Sequence, residues 1–186
     1  RTGAAMMVYA NETPTTPAGS DVRGIPFFRQ WNNDTYAWGA EGQANDVGPI
    51  IRYMVLKFAR TRNEAILGTM NSSGQIHVQI WNGTAWGAIR LLSTVVAADS
   101  QYRGFDIEYE TQGDRAVVVF NDANNRNPAY QIWDGTSWTA TVGLNVDLGG
   151  NYSSSNNAPR WIELAPNPLG SSSEIALLTL DANTQV

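Results

Sequence analysis

The chain has 186 residues, 42% of them hydrophobic, enough to bury a core and to exclude disorder as the default state. A formal charge of -5 and a single lysine, Lys57, leave no basic stripe for phosphates, so nucleic acid is not expected as a partner. Cysteine is absent, which removes disulfides and thiolate chemistry, and no apolar run approaches the length of a membrane-spanning helix, so membrane insertion is not expected.

The chain starts at Arg1 with neither an initiator methionine nor a signal peptide, which fits a processed chain or an excised segment of a longer polypeptide. Ala5-Met6-Met7-Val8 reads as the second strand of a unit whose first strand is missing, followed by third and fourth strands near 25–30 and 36–41. From Arg52 to Phe58 apolar and polar residues alternate, and Ala65-Ile66-Leu67 is apolar without interruption. Ile76, Val78 and Ile80 then alternate with Gln75, His77 and Gln79, the two-residue period of a strand with one buried face and His77 on the polar one. The same order returns as Tyr102 to Tyr109 followed by Ala116 to Phe120, and as Arg160 to Leu164 followed by Ile175 to Leu178. Loss of alternation in the second strand of each set predicts burial on both faces.

A longer period organises these strands. Gln79-Ile80-Trp81-Asn82-Gly83-Thr84-Ala85-Trp86 returns as Gln131-Ile132-Trp133-Asp134-Gly135-Thr136-Ser137-Trp138, with a looser copy at 30–38. The repeat is about 50 residues, and Asn-Gly or Asp-Gly between strands signals a tight hairpin turn with positive φ angles, here bracketed by tryptophans. Asp181-Ala182-Asn183 repeats Asp122-Ala123-Asn124, so the chain stops midway through a unit. The organisation expected is a single array over 1–186. It comprises a partial unit over 1–50 holding strands two to four, full units over 51–101 and 102–159, and a partial unit over 160–186 holding strands one and two.

Four-stranded units whose second strands are buried on both faces imply sheets packed against sheets, and at this repeat length the expectation is an all-β, β-propeller-type array of about three blades' worth of chain. The motifs at Trp81 to Trp86 and Trp133 to Trp138 resemble the recurrent turn of bacterial and archaeal extracellular propellers, including the sialidase-like, Asp-box class. The likeness is one of placement between third and fourth strands, since Asp134 and Gly135 are adjacent and Ile132 stands where that class has Ser or Thr. The resemblance implies an extracellular or cell-surface location and no particular activity.

Chemistry is sparse. Asp106, Glu108 and Glu110 share one face of a strand and form the best carboxylate cluster, replacing Val55, Lys57 and Ala59 of the preceding unit. A sialidase resemblance would draw on Arg103, Arg115, Arg126, Tyr109 and Glu110, and the loop 121–127 has oxygen ligands without the spacing of a calcium loop. His77 is the only histidine, and neither a serine elbow nor a phosphate-cradling glycine loop is present. No catalytic residue, metal or cofactor is therefore expected. Trp86 and Trp138, with Asn82 and Asp134, are the candidate ligand-binding residues, as rings that could stack on a sugar beside polar groups that could hold its hydroxyls. Five N-x-S/T triplets make Asn11, Asn33, Asn71, Asn82 and Asn151 glycosylation candidates. The first reading is a non-enzymatic structural or adhesive module whose open edges are covered by other parts of a longer chain or by further copies of itself. A carbohydrate-binding lectin is the alternative, and a sialidase-like glycosidase stands behind it.

Overall fold

A computed structural model of the protein describes residues 5–11, 23–95, 101–122, 127–144 and 159–180. The described residues are all-β. Their strands are β1 (Met6–Ala10), β2 (Pro26–Asn32), β3 (Ala37–Trp38), β4 (Gly42–Gln43), β5 (Ile51–Phe58), β6 (Ala65–Asn71) and β7 (Gln75–Trp81), followed by β8 (Arg90–Thr94), β9 (Phe105–Tyr109), β10 (Ala116–Asn121), β11 (Pro128–Trp133), β12 (Val142–Gly143), β13 (Trp161–Pro166) and β14 (Ile175–Leu180).

They form four antiparallel sheets in chain order. In the first, β1 pairs with β2, and the other edge of β2 is shared by β3 and β4. The second and third are meanders, β5-β6-β7-β8 and β9-β10-β11-β12, and the fourth is the pair β13-β14. Each step is a connection between sequence neighbours, as expected for antiparallel strands joined by turns. Strand β9 lies alongside β5 on one side and β13 on the other.

The sheets are stacked, and the stacking explains the composition of their strands. Every residue of β6 is buried. One boundary, between the second and third sheets, holds Val55, Ile66, Met70, Ile76 and Val78 against Phe105, Ile107, Tyr109, Val118 and Phe120. The next packs Val119 against Ile162 and Leu164, with Val117, Tyr130, Ile175 and Leu177 around them. Gly68, in the middle of β6, marks the closest approach: a Cβ there would lie 2.6 Å from Ile107 Cδ1 and 2.7 Å from Phe105 Cε2. Glycine weakens a strand interior, and its presence here is accounted for by the space the neighbouring sheet occupies.

Two expectations are corrected by this arrangement. Strand β7 alternates in polarity but not in burial, because His77 and Gln79 are covered as well as Ile76 and Val78. Gln79 exchanges hydrogen bonds with Asn45, accepting from its backbone N–H at 2.9 Å and donating to its carbonyl at 3.0 Å, so its own burial is compensated, whereas His77 Nδ1 is enclosed without a hydrogen-bond partner among the described residues. Conversely β14, apolar in sequence, is half-buried on one face and exposed on the other. Ala176, Leu178 and Leu180 are exposed, since no strand among the described residues covers the outer side of the fourth sheet.

Polar connectors fasten the boundaries. Asp114, in the β9–β10 turn at φ 55°, is buried and accepts hydrogen bonds from the backbone N–H groups of Arg60, Thr61 and Arg62 and from Thr61 Oγ1, all in the β5–β6 loop. Burial by itself would raise its pKa, but the bonds donated by Thr61, Arg60 and Arg62 outweigh it and hold the carboxylate below its ordinary range. Asp106 receives the N–H of Leu164 at 2.7 Å, joining β9 to β13.

Gly68→Val should lower stability by about 1–3 kcal/mol through overpacking against Phe105 and Ile107. Asp114→Ala should cost a similar amount, about 1–3 kcal/mol, by leaving buried donors unpaired. Denaturant unfolding followed by tryptophan fluorescence measures both, and wild-type midpoints would refute the boundary described.

Candidate functional site

The repeated turn is the feature the chain invests in most, and its geometry recurs three times. Trp81 and Trp86 bridge across the turn with ring centroids 5.4 Å apart, Trp133 and Trp138 do so at 5.3 Å, and Trp31 and Trp38 pair at 5.5 Å. In each copy the chain then leaves the ladder after one more hydrogen bond, Gly39 N–H to Gln30 O, Gly87 N–H to Ile80 O and Thr139 N–H to Ile132 O. Pairing resumes at Phe28 with Gly42, Val78 with Arg90 and Tyr130 with Val142.

Within the turn the labour is divided differently from the sequence expectation. Gly83 and Gly135 take positive φ angles of 98° and 101°, whereas Asn82 and Asp134 are not among the residues with positive φ. Their side chains instead brace the turn. Asn82 Oδ1 accepts from Thr84 N–H, Thr84 Oγ1 and Ala85 N–H at 2.9–3.0 Å, and Asp134 Oδ1 makes the same set with Thr136 and Ser137 at 2.8 Å. Side chains of this type compete for nearby backbone donors, which is why they favour turns. Ser137 Oγ adds a bond to Asp134 Oδ2 at 2.9 Å, and the bonds from Ser137 and Thr136 depress the Asp134 pKa well below the carboxylate range. The looser copy is two residues longer, and Tyr36 takes φ 51° there.

The tryptophans face a neighbouring sheet. Phe28 of the first sheet meets Trp81 edge-on at 5.3 Å and Trp86 at 5.9 Å. Arg90 of the second sheet lies 5.6 Å over the Trp138 ring. Trp86 and Trp138 are half-buried, and the indole N–H groups of Trp86 and Trp133 are enclosed without a partner among the described residues. The proposed ligand set is therefore brought together in each turn, but its rings are engaged between sheets and the oxygens of Asn82 and Asp134 are engaged by the turn.

The acidic cluster is dispersed among separate partners. Glu108 accepts from Lys57 Nζ at 2.5 Å, Glu110 is held by Arg115 through two bonds of 2.9 and 2.7 Å, and Asp106 faces Leu164 and Arg103. Burial raises the Asp106 pKa against the bonds from Leu164 and Ile107. Lys57 and Glu108 occupy corresponding positions in adjacent sheets, so the departure from the repeat noted in the sequence is a charge exchange that closes an ion pair between them. Tyr109 donates to Glu64 at 2.8 Å, and burial followed by Glu64 raises its pKa, the reverse of what a nucleophilic phenol requires. Arg103 and Arg115 sit at opposite ends of the β9–β10 pair, and Arg126 and most of the loop 121–127 lie outside the described residues. His77 is buried, and that burial lowers its pKa. No group of acidic or histidine side chains able to hold a metal occurs among the described residues.

The glycosylation candidates separate by burial. Asn82 is exposed, while Asn11 and Asn33 are half-buried, with Asn33 Oδ1 accepting from Trp31 Nε1 at 2.9 Å. Asn71 is fully buried and its amide donates to Val47 O at 2.8 Å and Gln75 Oε1 at 2.9 Å, so a glycan there is incompatible with this fold. Asn151 lies outside the described residues. The chain matches no protein-family model and no curated protein.

Asp134→Asn should keep the turn, since Asn82 makes the equivalent bonds, and should flatten the acid limb of stability. The folded pKa of Asp134 lies below its unfolded value, so its contribution is complete above about pH 4 and is lost as pH falls through the folded value. An unfolding curve below about pH 4 that is equally steep in wild type and variant would show that the turn does not depend on this carboxylate.

Proposed function

We propose that the protein is a non-enzymatic structural or adhesive module of the β-propeller type, built from repeated four-stranded blades and working outside the cell or on its surface. The observation that carries this reading is the destination of the reactive-looking groups. The Trp81–Trp86 and Trp133–Trp138 pairs are taken up between sheets, Asn82 and Asp134 brace turns, Asp106, Glu108 and Asp114 each reach a neighbouring sheet or its loop, and Glu110 is held by Arg115 within its own hairpin. Asp106, Glu108 and Glu110 are held by separate partners and do not converge on one bond as glycoside hydrolysis requires. The abundance of Asn, Ser, Thr and Gly and the likeness of the turn to extracellular propellers support the outward location.

The surface offered for interaction is the outer face of the fourth sheet. Trp161, 40% exposed, pairs across the strands with Leu180, 57% exposed, and Leu178, 54% exposed, pairs with Glu163 on the same face. The second and third sheets present corresponding apolar faces, and each is covered by the sheet that follows. The occupant that fits is another sheet of the same repeat, from a longer chain or a second copy. Exposed apolar strands left uncovered invite association.

Light scattering over a range of concentrations should show self-association of the 186-residue chain, and Leu178→Lys with Leu180→Lys should weaken it at least roughly tenfold, because two charges would be desolvated on contact. Chromogenic glycosides should show no turnover. Binding to a glycan panel that vanishes in Trp138→Ala with the fold intact would replace this reading with the lectin, and sustained turnover would replace it with the glycosidase.

A further inference from the structure

The ladder register allows the starts of the first strands to be compared residue by residue. Val78 and Tyr130 each stand three places before the first tryptophan of their turn. They pair with Gly68 and Val119, which in turn pair with Val55 and Asp106. Val55 and Asp106 therefore correspond, and so do Arg52 and Arg103.

The two arginines have opposite surroundings. Arg103 lies 3.6 Å from Asp106, donates to Ile162 O at 2.9 Å and sits 4.6 Å over the Trp161 ring of the following sheet. Among the described residues Arg52 has neither charge partner nor ring, because Val55 stands where Asp106 would and Gly104 where Trp161 would. It is exposed, makes no hydrogen bond or ion pair to any described residue, and falls at a β-bulge where the β5–β6 register shifts between Ile51 and Tyr53. A bulge re-aims its side chain out of the ladder. Beside it is a cavity of about 440 Å³ lined by Arg23, Ile50, Ile51, Arg52 and Tyr53, none of them acidic.

We propose that this cavity binds an oxyanion group, a carboxylate or a sulfate ester carried on a larger ligand, with Arg52 as the principal contact. The guanidinium fork presents paired N–H donors that match two oxygens of such a group, and charge-assisted bonds of this kind are the strong ones. The net charge of -5 works against diffuse anion binding elsewhere on the molecule, so occupancy would be local.

The test is a titration of the isotopically labelled protein with sodium sulfate and, in a separate arm, sodium acetate, at constant ionic strength balanced with chloride, read from amide and guanidinium NMR shifts. Saturable shifts confined to Arg23 and the segment Ile50 to Tyr53 are expected. The arm that saturates at lower concentration distinguishes a sulfate ester from a carboxylate as the ligand group. Arg52→Gln should weaken the response at least roughly tenfold while the tryptophan indole signals stay in place. Arg29→Gln, which removes an arginine paired with Glu41, should leave it unchanged. Shifts that fail to saturate in both arms, that spread over all the arginines, or that persist in Arg52→Gln would overturn the proposal.

Discussion

A sheet whose second strand is apolar on both sides has to be covered on both sides, and most of this structure follows from that requirement. Strand β6 shows it most directly. With every residue buried, it can exist only between two other layers, and the chain supplies them from its own preceding and following sheets. Non-directional apolar burial drives the stacking, but the registration is steric. Gly68 admits Phe105 and Ile107 where any side chain would collide, so the second and third sheets meet in one alignment and not in a family of slipped ones.

The tryptophan turn is fitted to the same constraint with different materials at each boundary. Between the first two sheets, Phe28 fills the space over the Trp81–Trp86 pair, and its ladder partner Gly42 is bare, since a Cβ there would fall 2.6 Å from the Phe28 ring. Between the next two, the corresponding residues are Val78 and Arg90: the smaller aliphatic side chain leaves room and the guanidinium covers Trp138 instead. The total filling is maintained while its chemistry changes from an aromatic edge to a cation over a ring. Repeats diverge in this compensated way when the covalent turn is held constant and the neighbour is free to adapt.

Charged groups play a connecting part in the stack. Asp114 gathers the backbone of the β5–β6 loop, Asp106 reaches the backbone of β13, and Lys57 meets Glu108 across neighbouring first strands. Ionised groups at such boundaries are retained where hydrogen bonds complete their solvation, and specificity of docking is the gain, because an apolar interface alone would tolerate sliding. Arg52 stands apart from this scheme. Its counterpart Arg103 is absorbed by acid and ring, whereas Arg52 is exposed and meets neither among the described residues.

What the sequence by itself determined is local and periodic. The strand order, the repeat of about 50 residues, the tryptophan-bracketed turn and the double burial of Ala65 to Leu67 could all be read from spacing and polarity, since these properties belong to short segments and to their recurrence. Only the tertiary structure decided that Asn82 and Asp134 brace the turn while Gly83 and Gly135 carry its positive φ, that Gln79 and His77 are buried, that β14 is open on one face, and that Asp106, Glu108 and Glu110 are consumed separately. A residue's exposure and its partners depend on which sheet lies opposite it, and that neighbour is supplied by chain about 50 residues away, where no local pattern records the pairing.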